Sequence, residues 1–313
     1  MIALHILLSI IGFLALAAIV TAFVCFIRIF YSSRKPETEE FPIPHGRIYE
    51  EFRDDMIKWM KDARALPHTD VEMRSYDGLR LRGKYYEFKK GAPLEILFHG
   101  YKGSAFRDLS GGIARCFSIG HNALVIDHRA AGESEGHVIT FGVKEHRDCL
   151  DWIDFAVKNL APDGKIIITG ISMGASTVMM VSAEALPENV VGVLADCGYT
   201  SAKEIIKKVI NDMGLPANLL YPFARLGGML FGGFDVNRAD ATAAVGKTTL
   251  PIIFIHGNAD DFVPCYMSER NYEACASEKK RLVIIDNAGH GLAFPRGGDK
   301  YLDELSAFFD PLT

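Results

Sequence analysis

The sequence lacks a basic stripe, a long block of like charge and any low-complexity tract. The first two absences, with a net charge of -5, exclude the usual footprint of a nucleic-acid partner, which needs clustered Lys and Arg. The third, with 49% hydrophobic and 23% charged residues over 313 positions, argues against disorder. A CxxC pair and any spaced cluster of Cys with His are missing too, so neither a metal nor another cofactor is expected. Cys25, Cys116, Cys149, Cys197, Cys265 and Cys275 are scattered, and in a chain this long an even count does not make a disulfide framework. Reduced thiols in a cytosol-like compartment are expected.

Charge is absent altogether from residues 6–27. A helix of that length spans about 33 Å, enough to cross a hydrocarbon core of about 30 Å. No Lys or Arg precedes the run and no small-residue cleavage pattern closes it, so it reads as a membrane anchor over 1–30 rather than a secretory signal. Arg28, Arg34 and Lys35 follow it, which places the rest of the chain on the cytoplasmic side of the cell membrane. A Pro- and Glu-containing linker (31–46) comes next. Over 47–66, Ile48, Phe52, Met56, Trp59, Ala63 and Leu66 recur at helical spacing, with charges on the opposite face. That amphipathic helix is expected to pack on the main domain.

The main domain, 67–313, opens with a hairpin (71–76 and 79–88) around Asp77-Gly78. Apolar runs at 94–99, 123–127, 165–170, 190–196, 251–256 and 281–286 then alternate with helical patterns at 108–119, 143–160, 174–186, 266–277 and 300–309. Such alternation predicts a mostly parallel sheet with helices on both faces, an α/β fold. The long connection 199–248 contains Leu219, Leu220, Tyr221, Phe223, Met229, Leu230 and Phe231, and predicts a small helical cap.

The chemistry begins at Gly170-Ile171-Ser172-Met173-Gly174, between a buried strand and a helix. A turn that tight leaves no room for side chains at its glycines and holds Ser172 at the strand end beside the first amides of the helix. A serine hydroxyl needs a base to become nucleophilic. Asp260 and His290 follow the last two strands, at the edge where strand ends converge, and in the chain order this architecture uses. Asp261 and Asp196 are rivals for the acid. For the oxyanion, the backbone N–H groups of Met173 and Tyr101 are the candidate donors. Asp127, Arg129 and Ser134 are expected to brace a loop, and His99 to shape the oxyanion loop through its backbone.

These motifs together, His99-Gly100, Asp127 to Ser134, Gly170 to Gly174, His256-Gly257 with Asp260 and Val263-Pro264, and Gly289-His290, resemble the α/β-hydrolase superfamily. In particular the chain is similar to bacterial membrane-anchored, esterase-like members, over about residue 71 to the C-terminus. The resemblance implies an α/β-hydrolase fold and a serine hydrolase that cleaves short- to medium-chain or lipid-derived carboxylic esters. Acyl-thioester cleavage or acyl transfer would use the same residues, and a membrane-tethered binding protein with an inert triad is the non-enzymatic alternative. Ser rather than Asp at the elbow argues against a dehalogenase or epoxide hydrolase. The apolar cap residues are expected to form the acyl pocket.

Overall fold

The structure, a computed structural model, describes residues 1–34, 39–44 and 46–313. Lys35 and residues 36–38 of the expected linker lie outside the described residues. Helix α1 (Ile2–Ile29) leads, followed by a 3-10 turn (Arg47–Phe52), α2 (Arg53–Ala65) and the hairpin β1 (Thr69–Arg74) and β2 (Arg80–Tyr86). Strands and helices then alternate as β3 (Leu94–Phe98), α3 (Ala105–Ser118), β4 (Asn122–Ile126), α4 (Glu145–Asn159), β5 (Ile166–Ile171), α5 (Met173–Val181) and β6 (Val190–Asp196). The cap consists of α6 (Ala202–Asp212), α7 (Ala217–Gly227), a π-helical turn (Gly228–Gly232), a 3-10 turn (Val236–Arg238) and α8 (Ala241–Val245). The chain closes with β7 (Ile252–Gly257), α9 (Tyr266–Ala274), β8 (Lys280–Ile285) and α10 (Ala293–Phe309), the last broken at Gly298.

One sheet holds all eight strands, in the order β1-β2-β4-β3-β5-β6-β7-β8. The two hairpin strands are antiparallel at its edge, and β4 onward pair in parallel. A parallel ladder brings the C-terminal ends of β3, β5, β6, β7 and β8 to one edge, where loops can share a site. Alternation along each strand feeds two cores. Ile96, Phe98, Ile166 and Ile168 face α4 and α5 through Trp152, Ile153, Ala175 and Val178. On the other face, Leu97, Ala123 and Val125 pack on Leu109, Ile113 and Cys116 of α3, and Ile253, Ile255 and Ile285 pack on Tyr301, Leu305 and Phe309 of α10. Fully burying one such aliphatic or aromatic side chain contributes about 1.5–3 kcal/mol.

Two N-terminal elements are built into this frame. The base of α1 buries a stripe of Ala22, Phe26 and Phe30, the last with its ring 5.1 Å from Phe234 and 5.8 Å from Phe141. Backbone bonds from Ile139 to the Phe30 carbonyl and from Ser32 to the His137 carbonyl clamp the chain as it leaves the helix. The first part of α1 stands clear, with Phe13 70% and Leu16 61% exposed. Helix α2 lies on α3. Met60 and Ala63 are buried there, and the Trp59 ring rests where a side chain at Gly111 would be, 2.8 Å from its Cβ position.

Candidate active site

The turn between β5 and α5 holds Ser172 at φ 56°, ψ -117°, a conformation that costs a non-glycine residue about 1–3 kcal/mol. Its N–H donates to the Asp196 carbonyl at 2.9 Å, tying the elbow to the neighbouring strand. Both flanking glycines are imposed by close approach. A Cβ at Gly170 would lie 2.2 Å from the Gly174 backbone, and one at Gly174 would lie 2.0 Å from the Phe98 carbonyl oxygen.

Loops after β7 and β8 bring the other two predicted residues to Ser172. His290 Nε2 is 2.9 Å from Ser172 Oγ, and His290 Nδ1 is 2.7 Å from Asp260 Oδ2. The second oxygen, Asp260 Oδ1, accepts the backbone N–H groups of Phe262 (3.0 Å) and Val263 (2.8 Å). Burial alone would raise the Asp260 pKa, but hydrogen bonds from His256 and His290, with their charge, outweigh it and hold the carboxyl well below its usual range. The carboxylate is thereby kept ionised against the imidazole it orients.

The two rival acids are placed elsewhere. Asp261 is exposed. Asp196 accepts from the Tyr301 hydroxyl at 2.8 Å, leaves Oδ1 without a partner, and is pushed up to about 6 by burial. Neither hydrogen-bonds His290. Met173 directly follows Ser172, and among the described residues neither its N–H nor that of Tyr101 donates to a protein acceptor. Gly100, just before Tyr101, packs on the Ser172 side chain, its Cβ position 3.4 Å from that of the serine.

Around this centre the expected braces are in place. Asp127 accepts the N–H groups of Ala105 (2.8 Å) and Glu133 (2.9 Å), Ser134 donates to the Asp127 carbonyl, and Arg129 binds Asp77 and Asp148. His99 departs from the expectation that it acts through its backbone: its side-chain Nε2 accepts the His128 N–H at 3.0 Å, at the start of the loop after β3. Sequence reasoning gives two further contributors no role in the site, although His256 belongs to one of its motifs. His256, fully buried, places Nε2 2.8 Å from the Val263 carbonyl and 3.2 Å from Asp260, while Nδ1 faces Ser268 Oγ at 2.6 Å. Tyr49 donates its hydroxyl to the His290 carbonyl at 3.1 Å from the turn that precedes α2.

A cavity of about 240 Å³ opens at Ser172 and His290. Its walls come from α2 (Met56, Trp59), α3 (Gly111, Gly112) and the start of α10 (Phe294), and its floor from Arg115, Asp196 and Tyr301. Arg115 is itself locked to buried Glu95 by bonds of 3.1 and 2.6 Å. None of the cap residues 199–248 lines this cavity, so the expectation that they form the acyl pocket is corrected. The physical reason is that the cap packs toward α1 and the α5 face of the sheet, whereas the cavity runs between α3 and α10 beneath α2. Among the described residues, the ligand atoms of Cys197, Asp260 and His290 lie within 4.8 Å of one another. An ion there would displace the Asp260–His290 bond.

The family model described as alpha/beta hydrolase fold matches residues 96–221, and the chain has the α/β-hydrolase fold. Among individual proteins, it is 28% identical over 196 residues to YqkD of Bacillus subtilis, a match spanning 62% of this chain and 64% of that one. It is 25% identical over 247 residues to YfhR of Escherichia coli, covering 76% of this chain and 79% of the relative. An esterase of Pyrococcus furiosus superposes with a TM-score of 0.67 at 21% identity, over 87% of this chain and 97% of the esterase.

Proposed function

We propose that the protein is a membrane-anchored serine hydrolase that cleaves carboxylic esters through an acyl-enzyme on Ser172. The observation that carries the reading is the relay Ser172 Oγ–His290 Nε2 and His290 Nδ1–Asp260, at 2.9 and 2.7 Å, opening on an apolar-walled cavity. In this mechanism His290 Nε2 takes the proton as Ser172 Oγ attacks the ester carbonyl carbon. The carbonyl oxygen becomes an oxyanion held by the Tyr101 and Met173 N–H groups, each such donor contributing about 3–4 kcal/mol. Collapse expels the alcohol, protonated by His290, and leaves the acyl group on Ser172. Water, deprotonated by the same imidazole, then releases the acid. The fold neighbour from Pyrococcus furiosus is an esterase, which agrees with this chemistry.

The anchor is α1, whose mean hydropathy reaches 2.8 over a window only 11% buried. Exposure of its first turns argues against a core helix. Burial of Phe26 and Phe30 in the main core argues against its removal as a leader. Arg28 in the last turn of α1 and Arg34 beyond it favour a cytoplasmic domain, as do six cysteines that are all free. A fluorophosphonate probe tests the chemistry. It should label the wild-type chain at Ser172 and leave the folded Ser172→Ala variant unlabelled, and equal labelling of the two would refute the assignment.

A further inference from the structure

The uncharged run of α1 extends to the base of the helix. From Ile6 to Ile27 it covers 22 residues, about 33 Å of helix, against a hydrocarbon core of about 30 Å, and the first charge is Arg28. There the helix is flanked by the cap. A Cβ at Gly227 would lie 2.3 Å from the Ala22 carbonyl oxygen, and the Phe231 ring sits 5.2 Å from Phe23 and 5.8 Å from Phe26. Around this base Phe23, Val24 and Ile27 remain 47, 52 and 38% exposed. Apolar surface therefore continues down to the base of the helix.

The cap extends that surface. Leu219 on α7 is 62% exposed, and Met229, Leu230 and Phe231 on the π-helical turn are 49, 56 and 40% exposed. The turn between α6 and α7 adds Met213 at 68% and Leu215 at 44%. Six large apolar side chains in one small cap, next to a helix base that is itself apolar and open, would be a liability in water. The site's own loop is tied to the same end of α1: the Tyr101 hydroxyl donates to the Ile29 carbonyl at 2.6 Å, and exposed Lys102 donates to the Arg28 carbonyl at 3.1 Å. Ile29 lies about 10 Å along the helix from Ala22. The loop carrying the Tyr101 N–H is thus one short step from the depth at which the cap meets α1.

We propose that the cap is a membrane-interface element, its apolar face seated at the acyl–headgroup boundary of the same bilayer that α1 crosses, so that the Ser172 cavity takes esters of bilayer-resident amphiphiles. The occupant is lipid because the face is continuous with the membrane helix and is bordered by the basic pair Arg28 and Lys102, which suits an anionic leaflet. The substrate half of this inference rests on the esterase reading, whereas the membrane half does not.

The test uses the full chain in vesicles of phosphatidylcholine with phosphatidylglycerol. In the Ser172→Ala background, Leu230→Trp is compared with its parent for quenching by lipids carrying a nitroxide near the headgroup. Added fluorescence that the nitroxide quenches supports the seat in the interface. Added fluorescence that it leaves unquenched, or that is shielded through concentration-dependent self-association, overturns it. In the active chain, the double variant Met229→Glu with Leu230→Glu should lose about tenfold or more in kcat/KM on a vesicle-resident long-chain ester while keeping its rate on soluble nitrophenyl butyrate. Equal loss on both substrates, or none, overturns the route from the bilayer. Quenching without any ester hydrolysis would refute the esterase reading and leave the membrane seat standing.

Discussion

Replacing Asp260 by Asn changes one atom and should disable the base. The outcome depends on which way the carboxamide turns. With its oxygen at the Oδ1 position, it keeps both backbone bonds, from Phe262 at 3.0 Å and Val263 at 2.8 Å, and its NH₂ faces His290 Nδ1. His256 loses little in this orientation, because its Nε2 retains the shorter contact of 2.8 Å to the Val263 carbonyl. The opposite orientation sets the NH₂ against two backbone donors in a site where Asp260 is 6% exposed. Each buried donor stranded in that way costs about 1–3 kcal/mol, so the first orientation wins. An NH₂ donating to His290 Nδ1 selects the imidazole tautomer that carries its proton on Nε2, and this tautomer cannot accept the Ser172 proton. The expected fall in kcat is about 10⁴-fold, equivalent to about 5.5 kcal/mol in the barrier. It should be read with nitrophenyl butyrate against Asp196→Asn and Asp261→Asn, with near-unchanged unfolding temperature as the control. A loss under tenfold for Asp260→Asn, or a greater loss for Asp196→Asn, would refute the relay as drawn.

Acid unfolding should carry the same residue's signature: its folded pKa is depressed, so its contribution is complete above the unfolded value of about 3.9 and is lost as pH falls toward the folded one, and Asp260→Asn should flatten that limb. Asp196 has the opposite sign, since burial pushes it up to about 6, and the stability of wild type relative to Asp196→Asn should fall as pH rises through that value. Phe30→Ala should cost about 3–5 kcal/mol, measured by denaturant unfolding of the full chain in detergent, because the ring is fully buried between Phe141 and Phe234; a surface-like cost under 1 kcal/mol would mean that the base of α1 is not part of the core. Trp59→Ala, by opening the cavity wall over Gly111, should move the chain-length optimum on a nitrophenyl ester panel toward longer acyl groups, at about 0.8 kcal/mol per added buried CH₂; an unmoved optimum would place the acyl chain elsewhere.

What could be read from the sequence was local, and what could not was assembled across distance. The run Ile166 to Gly174 encodes its own strand, turn and helix, because a buried apolar strand and two glycines that tolerate no Cβ leave the backbone one path. Asp260 and His290 were legible for a related reason: each follows directly on a strand end, and a parallel ladder sends those ends to one edge whatever else the chain does. The cavity was not legible. Its walls come from residues near 56, 111, 172 and 294, whose meeting depends on how α2 settles on α3 and α10, and helical periodicity alone cannot say which neighbour an apolar stripe selects. The cap misled for the same cause. Leu219, Met229, Leu230 and Phe231 are apolar enough to line a pocket, yet they stay outside it, because the α7 surface that packs is taken by α1. Tyr49 and His290 are 241 residues apart and share one hydrogen bond, and Tyr101 and Ile29 are 72 apart and share another. Those two bonds join the N-terminal elements to the loops that hold His290 and follow β3. An apolar helix recognisable from composition alone thus ends against the loop that follows β3, with its base packed into the main core.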